Sequence, residues 1–171
     1  DWSSDVCSSD LIPNIAMAQL EVEINRGQVK KIPLAVSEFY YDSERLYSIG
    51  RGMGNVIRAN LERTGLFEIP DPKAHIQTPE STTQQPRFAE WKALGVEGLV
   101  SGKVTELNDG RARVEFRLWD TYGAKQLTGM AYTTTKDNWR RIAHIVSDVI
   151  YKRLTGEEGY FDSRKIGRAH V

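Results

Sequence analysis

Apolar and polar positions along the chain divide it into a short alternating segment, two long helical stripes and a three-strand meander. Leu20, Val22 and Ile24 alternate with Glu21, Glu23 and Asn25, the period of a strand with one polar face. Ile32 to Phe39 is an unbroken apolar run of strand length, which predicts a strand buried on both faces. Leu46, Ile49, Met53, Ile57 and Leu61 then recur at helical spacing. Asp42, Ser43 and Glu44 supply capping and negative charge at the start of that helix, and Gly65 closes it. A short strand is predicted over 66–69. Phe88, Trp91 and Leu94 mark a short helix stopped by Gly95.

The meander follows. Residues 98–107 form one strand and turn through Asn108-Asp109-Gly110, a hairpin signal. Ala112, Val114, Phe116 and Leu118 face one way, while Arg113, Glu115, Arg117 and Trp119 face the other. Residues 127–135 return. A last helix is capped at Asp137 or Asn138, buries Trp139, Ile142, Ala143, Val146, Val149, Ile150 and Leu154, and stops at Gly156. The sum is an α+β fold: a mixed sheet of about five strands, with two main helices and one short helix packed on one face. Between the halves lies 70–86, a polar stretch whose four prolines argue against a regular helix or central strand, so it is read as a surface loop.

The two ends have a different origin. Residues 1–10 read DWSSDVCSSD, which back-translates to GAC TGG AGT TCA GAC GTG TGC TCT TCC GAT, a short-read library adapter. The next adapter codon always gives Leu, which accounts for Leu11. Residues 166–171, IGRAHV, can be encoded by the reverse complement of a codon set for Asp5 to Asp10, and Lys165 fits a hybrid codon. Residues 1–11 and 165–171 are therefore expected to be translated adapter and are set aside. Ala16-Met17-Ala18 fits a signal-peptidase site, so 12–18 reads as the remnant of an export signal and 19–164 as the mature domain.

Setting the ends aside changes the chemistry. Cys7 was the only cysteine, so disulfides, thiol nucleophiles and Cys-ligated zinc drop out. The chain carries 23 basic and 23 acidic residues, and losing Lys165 and Arg168 with Asp1, Asp5 and Asp10 leaves it near neutral. Neutrality argues against a nucleic-acid partner or an anionic membrane surface. No run approaches the ~20 apolar residues of a membrane span. Gly50-Arg51-Gly52-Met53-Gly54 misses the spacing of a dinucleotide loop and lies inside a helical pattern, so it reads as close helix-to-sheet packing. His75 and His144 have no partner at metal-ligand spacing and are expected to be solvated. Serines occur without a nucleophile elbow. No catalytic, metal or cofactor residue is assigned. An enzyme of unknown type is the alternative from another class, disfavoured by the lack of a convergent catalytic set. Arg113, Arg117 and Trp119 form a basic–aromatic row on the presumed open sheet face, a possible docking face for protein.

Five blocks in order carry a resemblance: IPLAVSEF, VIRANLERTGLFEIP, FAEWKALGVEGLVSGKVTEL, VEFRLWDTYGAKQL and IAHIVSDVIYKRLTGEEGYFDSR. Together they resemble the TolB amino-terminal domain family over nearly all of 19–164. The last block, LTG-x-x-G-x-F-x-[ST]-R, is the most specific, and in the family it leads into a β-propeller that is missing here. The resemblance implies a non-enzymatic periplasmic adaptor of the Tol–Pal system, which supports outer-membrane integrity and cell division. It implies that the mature N-terminus, here Gln19, Leu20, Glu21, Val22, Glu23, Ile24 and Asn25, binds the C-terminal domain of TolA and can be docked or released. Pal would be bound only by the propeller, and neither nucleic acid nor membrane insertion is implied. The spacing of 19–25 by itself favours a strand that simply pairs within its own sheet. The order of elements up to the meander also resembles the CsgG and LpoB outer-membrane accessory proteins, which stand as the alternative among binding proteins.

Overall fold

The computed structural model describes residues 20–22, 24–25 and 27–163; the segments expected to be adapter and signal remnant, together with Gln19, Glu23, Arg26 and Arg164, lie outside the described residues. The first elements are a small antiparallel hairpin of β1 (Ile24–Asn25) and β2 (Gln28–Val29), which forms a sheet of its own. The main sheet uses β3 (Ile32–Val36), β4 (Tyr40–Tyr41), β5 (Phe67–Glu68), β6 (Gly98–Glu106), β7 (Ala112–Asp120) and β8 (Lys125–Thr134). Its order is β5-β3-β6-β7-β8, with β4 also paired to β6. The pairs β3–β5, β3–β6 and β4–β6 are parallel, whereas β6–β7 and β7–β8 are antiparallel, so the sheet is mixed.

Two long helices, α1 (Tyr47–Arg63) and α4 (Trp139–Thr155), cover one face. Both bury the stripe that their spacing predicts: Ile49, Met53, Ile57 and Leu61 from α1, and Ile142, Val146, Ile150 and Leu154 from α4. These pack on Leu34 and Val36 of β3, Val100 and Val104 of β6, and Val114, Phe116 and Leu118 of β7. Each fully buried side chain of this size contributes roughly 1.5–3 kcal/mol. Gly65 and Gly156 follow the two helices at φ +73° and +78°, the left-handed conformation that stops a helix without a Cβ clash. The helices are joined by Asn60, whose amide donates to Ser147 Oγ at 3.0 Å and lies 2.9 Å from His144 Nδ1. His144 is thus half-buried and bonded across the helix pair, not solvated.

The fold class is α+β as expected, but the short helices sit differently. Leu99 of β6, Ala35 of β3 and Trp119 of β7 alternate with the residues facing α1 and α4, so they lie on the opposite face. There they pack with Trp91 of α3 (Phe88–Ala93) and with Val96. The short helix therefore covers the second face, not the same face as α1 and α4. The 70–86 stretch is also more than a surface loop. It contains α2 (Pro79–Gln84), with Thr78 accepting from Ser81 N at 3.3 Å and Pro79 in the first turn. Proline has no N–H to lose there, so it starts this helix instead of breaking it. Gln77 clasps the stretch: its Oε1 accepts from Trp91 Nε1 and from Arg87 N, both at 2.9 Å, and its Nε2 donates to Gln85 O at 3.0 Å.

The glycines of α1 act in packing, as their spacing suggests. A Cβ on Gly50 would lie 2.7 Å from the Phe39 carbonyl oxygen and 2.7 Å from the Tyr41 ring, and one on Gly54 would lie 3.1 Å from the Ser37 carbonyl oxygen. Helix propensity alone favours Gly50→Ala by about 1 kcal/mol. We expect the opposite sign, because the nearest obstacle is backbone and overpacking costs about 1–3 kcal/mol. The urea midpoint of Gly50→Ala should fall; a rise would mean that α1 can move away from the sheet freely.

Candidate functional site

The chain presents two surfaces where a partner could act. The first is its N-terminal segment. Leu20 is only 8% exposed and belongs to the main core, although it precedes every element of the sheet. Gly98, the first residue of β6, makes room for it: a Cβ there would lie 2.7 Å from Leu34 Cδ1 and 2.8 Å from Leu20 Cδ2. Val22 packs against the same cluster, and its N–H donates to Leu154 O at 3.2 Å, near the C-terminal end of α4. Glu21 is exposed. The backbone of Ile24 and Asn25 then enters the β1–β2 hairpin, away from the main sheet. Of the seven expected residues, Gln19 and Glu23 lie outside the described residues.

The same end of α4 holds the C-terminal segment. Asp148 accepts from Phe161 N at 2.8 Å and from Asp162 N at 3.1 Å. Tyr151, Tyr160 and Phe161 form an aromatic cluster, with Tyr160 exposed. Both ends of the described fold are thus tied to one helix. Sequence periodicity marked Leu154 and Val22 as apolar but could not show that they meet.

The second surface is the outer sheet face. Arg113, Arg117 and Trp119 do lie on it, but they differ from one another. Arg113 is engaged by Glu115 at 2.9 Å, and Glu115 also faces Lys103 at 3.8 Å. Trp119 is half-buried against Phe88 of α3, with ring centroids 5.8 Å apart, and its Nε1 donates to Ser101 Oγ at 3.0 Å. Of the three side chains Arg117's alone makes no hydrogen bond or ion pair among the described residues, and it lines a cavity with Ser101 and Lys103. Ser101 and Lys103 were not singled out in the sequence; the alternation of β6 against β7 was the available signal, since Ser101 pairs with Arg117 and Lys103 with Glu115.

Among the described residues no group of three or more His, Cys, Asp or Glu could hold a metal ion, and no helix is long and apolar enough to cross a membrane. His75, expected in solvent, is half-buried instead. Its ring meets the Trp91 ring edge-on at 5.0 Å, and its buried Nε2 has no hydrogen-bond partner.

A model of the TolB amino-terminal domain matches residues 20–127. The chain belongs to the TolB amino-terminal domain family. The Tol-Pal system protein TolB of Paramagnetospirillum magneticum is 46% identical over 149 residues, which cover 87% of this chain and 33% of that protein. The crystal structure of TolB from Acinetobacter baumannii superposes with a TM-score of 0.64 at 26% identity, covering 84% of this chain and 33% of that one. The chain therefore spans about a third of the length of the TolB relatives it matches. The C-terminal domain of LpoB from Escherichia coli is similar only at a TM-score of 0.43 and 7% identity, covering 60% of this chain and 82% of that one, which carries no argument.

Within this TolB-type domain, burial pulls the pKa of His75 from 6.5 down to about 4, and the Arg58 charge adds to the shift. The unfolded chain therefore binds a proton that the folded chain refuses. Stability that His75 leaves intact above pH ~6.5 is lost as pH falls towards the folded value of about 4. The melting temperature should drop over this window, and His75→Phe should flatten the drop. An unchanged slope in the variant would assign the acid sensitivity elsewhere.

Proposed function

We propose that the chain is a non-enzymatic periplasmic adaptor domain of the Tol–Pal envelope system, supporting outer-membrane integrity and cell division. On this reading residues 19–25 bind the C-terminal domain of TolA. Contact with Pal belongs to the propeller, outside this chain. Membership of the TolB amino-terminal domain family supports the system, and the name of the Paramagnetospirillum magneticum relative agrees with it.

The observation that carries the site is how lightly the N-terminal segment is held. Leu20 fills a socket that exists because residue 98 is glycine, and Val22 adds a backbone hydrogen bond to Leu154. Among the described residues the hairpin that follows pairs with itself and not with the main sheet. A segment attached by so few contacts can exchange them for a partner's. Once free, it has the alternation needed to add a strand to a partner's sheet edge, with backbone hydrogen bonds supplying affinity and Leu20, Val22 and Ile24 filling pockets.

Deletion of 19–25 should abolish the heat of binding to the TolA C-terminal domain in calorimetry. It also removes Leu20 from the core, a loss of roughly 1.5–3 kcal/mol, so the melt should fall by several degrees. A second readout separates binding from stability. The Leu20 methyl signals should show contacts with Gly98 in the free chain and lose them when the TolA domain is added. Unchanged affinity after deletion would sink this reading. Leu20–Gly98 contacts that survive in the complex would show that TolA binds elsewhere.

A further inference from the structure

The outer sheet face holds a cavity of about 170 Å³ between α2 and the strands β6 and β7. Its walls are Thr83 and Gln84 of α2, Ser101 and Lys103 of β6, and Glu115 and Arg117 of β7. The volume is about that of five or six liquid waters. It is well below the ~300 Å³ at which pockets begin to hold cofactor-sized ligands. One side-chain head group fits it.

The charges say which kind. Lys103, Arg113 and Arg117 project from this face beside a single carboxylate, Glu115. Glu115 is already shared by Arg113 at 2.9 Å and Lys103 at 3.8 Å, so the face keeps an excess of positive charge. Among the described residues the Arg117 side chain makes no hydrogen bond or ion pair. Its side chain lies close to Gly129 of β8, where an added Cβ would meet Arg117 Cγ at 3.4 Å. Ser101 is 2% exposed and lines the cavity. Its oxygen accepts from Trp119 Nε1, which fixes the hydroxyl, and its own proton makes no hydrogen bond. A hydroxyl can donate as well as accept, so one buried donor is left over at the cavity wall.

Beside the cavity the surface is low. Gly129 and Ala131 of the terminal strand β8 stand opposite Arg117 and Glu115, on the same face, and both are exposed. A chain can therefore cross β8 close to the sheet backbone while one of its side chains reaches Arg117.

We propose that this cavity is a binding site for an acidic side chain, Asp or Glu, presented by an extended segment of a partner protein. The carboxylate takes the Arg117 guanidinium in a two-pronged hydrogen bond and the Ser101 hydroxyl as a third donor, with Lys103 adding charge. Trp119 is a positioning residue, because it acts by orienting Ser101. The site is separate from the N-terminal segment, so the two can be tested independently.

The test is a nuclear magnetic resonance titration of the nitrogen-15-labelled full chain with the capped peptide Ser-Thr-Glu-Thr-Ser. Saturable shifts are expected at the Ser101, Lys103 and Arg117 amides and at the Trp119 indole N–H. The same peptide with Gln in place of Glu should leave these signals unmoved. Arg117→Gln, at an exposed position that the fold does not need, should weaken binding about tenfold or more, as expected for loss of a hydrogen bond to a charged group. Equal shifts with the Gln peptide, no saturable shift at all, or full affinity in Arg117→Gln would each overturn the proposal. Acetate binding as tightly as the Glu peptide would overturn the assignment to a protein segment and leave a free small anion as the ligand.

Discussion

The backbone of α1 touches the backbone at the end of β3. Phe39 N donates to Gly50 O at 3.2 Å, and neither Gly50 nor Gly54 could carry a Cβ without pressing on the carbonyl groups of Phe39 or Ser37. This approach fixes the height of α1 over the sheet. It brings the buried guanidinium of Arg58 to within 2.7 Å of Val36 O, while Asn55 of the same helix accepts its other N–H at 2.5 Å. With α1 at that height, Asn60 reaches Ser147 and His144, so the position of α4 follows from that of α1. The position of α4 then decides where both chain ends are attached.

The opposite face is built to a different standard. Trp91, Val96, Leu99 and Ala35 are closed in by α3 and by the Gln77 clasp, with Trp119 at the margin of that cluster and α2 continuing the cover over β6. Beyond it the strands β7 and β8 meet solvent with charged and small side chains. The half-covered sheet is thus rigid at one end, where two tryptophans are hydrogen-bonded to Gln77 and Ser101, and open at the other.

Much of this architecture was legible in the sequence, and the failures have physical causes. The stripes of α1 and α4, the alternation of β7 and the Asn108-Asp109-Gly110 turn each depend on local periodicity, which a single sequence displays. The α2 helix was hidden because Pro79 reads as a breaker unless Thr78 is recognised as the cap that places proline in the first turn. His75 and His144 looked solvated because the groups that bury them, Trp91 and Asn60, come from distant parts of the chain. The outward direction of Arg113, Arg117 and Trp119 was right, yet their separate fates depend on Glu115, Ser101 and Phe88 across strands and helices. For the N-terminal segment the alternation was visible, but its socket depends on a missing side chain at Gly98, which no pattern of apolar residues reveals.

The attachment of both chain ends to α4 has a mechanical meaning. Val22 hangs from Leu154 near the end of that helix, and Phe161 and Asp162 are held by Asp148 about two turns earlier. Among the described residues a load applied at Leu20 meets the Leu20 plug, the Val22 packing and the Val22–Leu154 hydrogen bond, whereas the load path beyond runs along a seventeen-residue helix seated in the core. The small attachment stands at the entrance and the large one behind it. On the function proposed above, tension on the first residues is borne by these few contacts before it reaches the body of the domain.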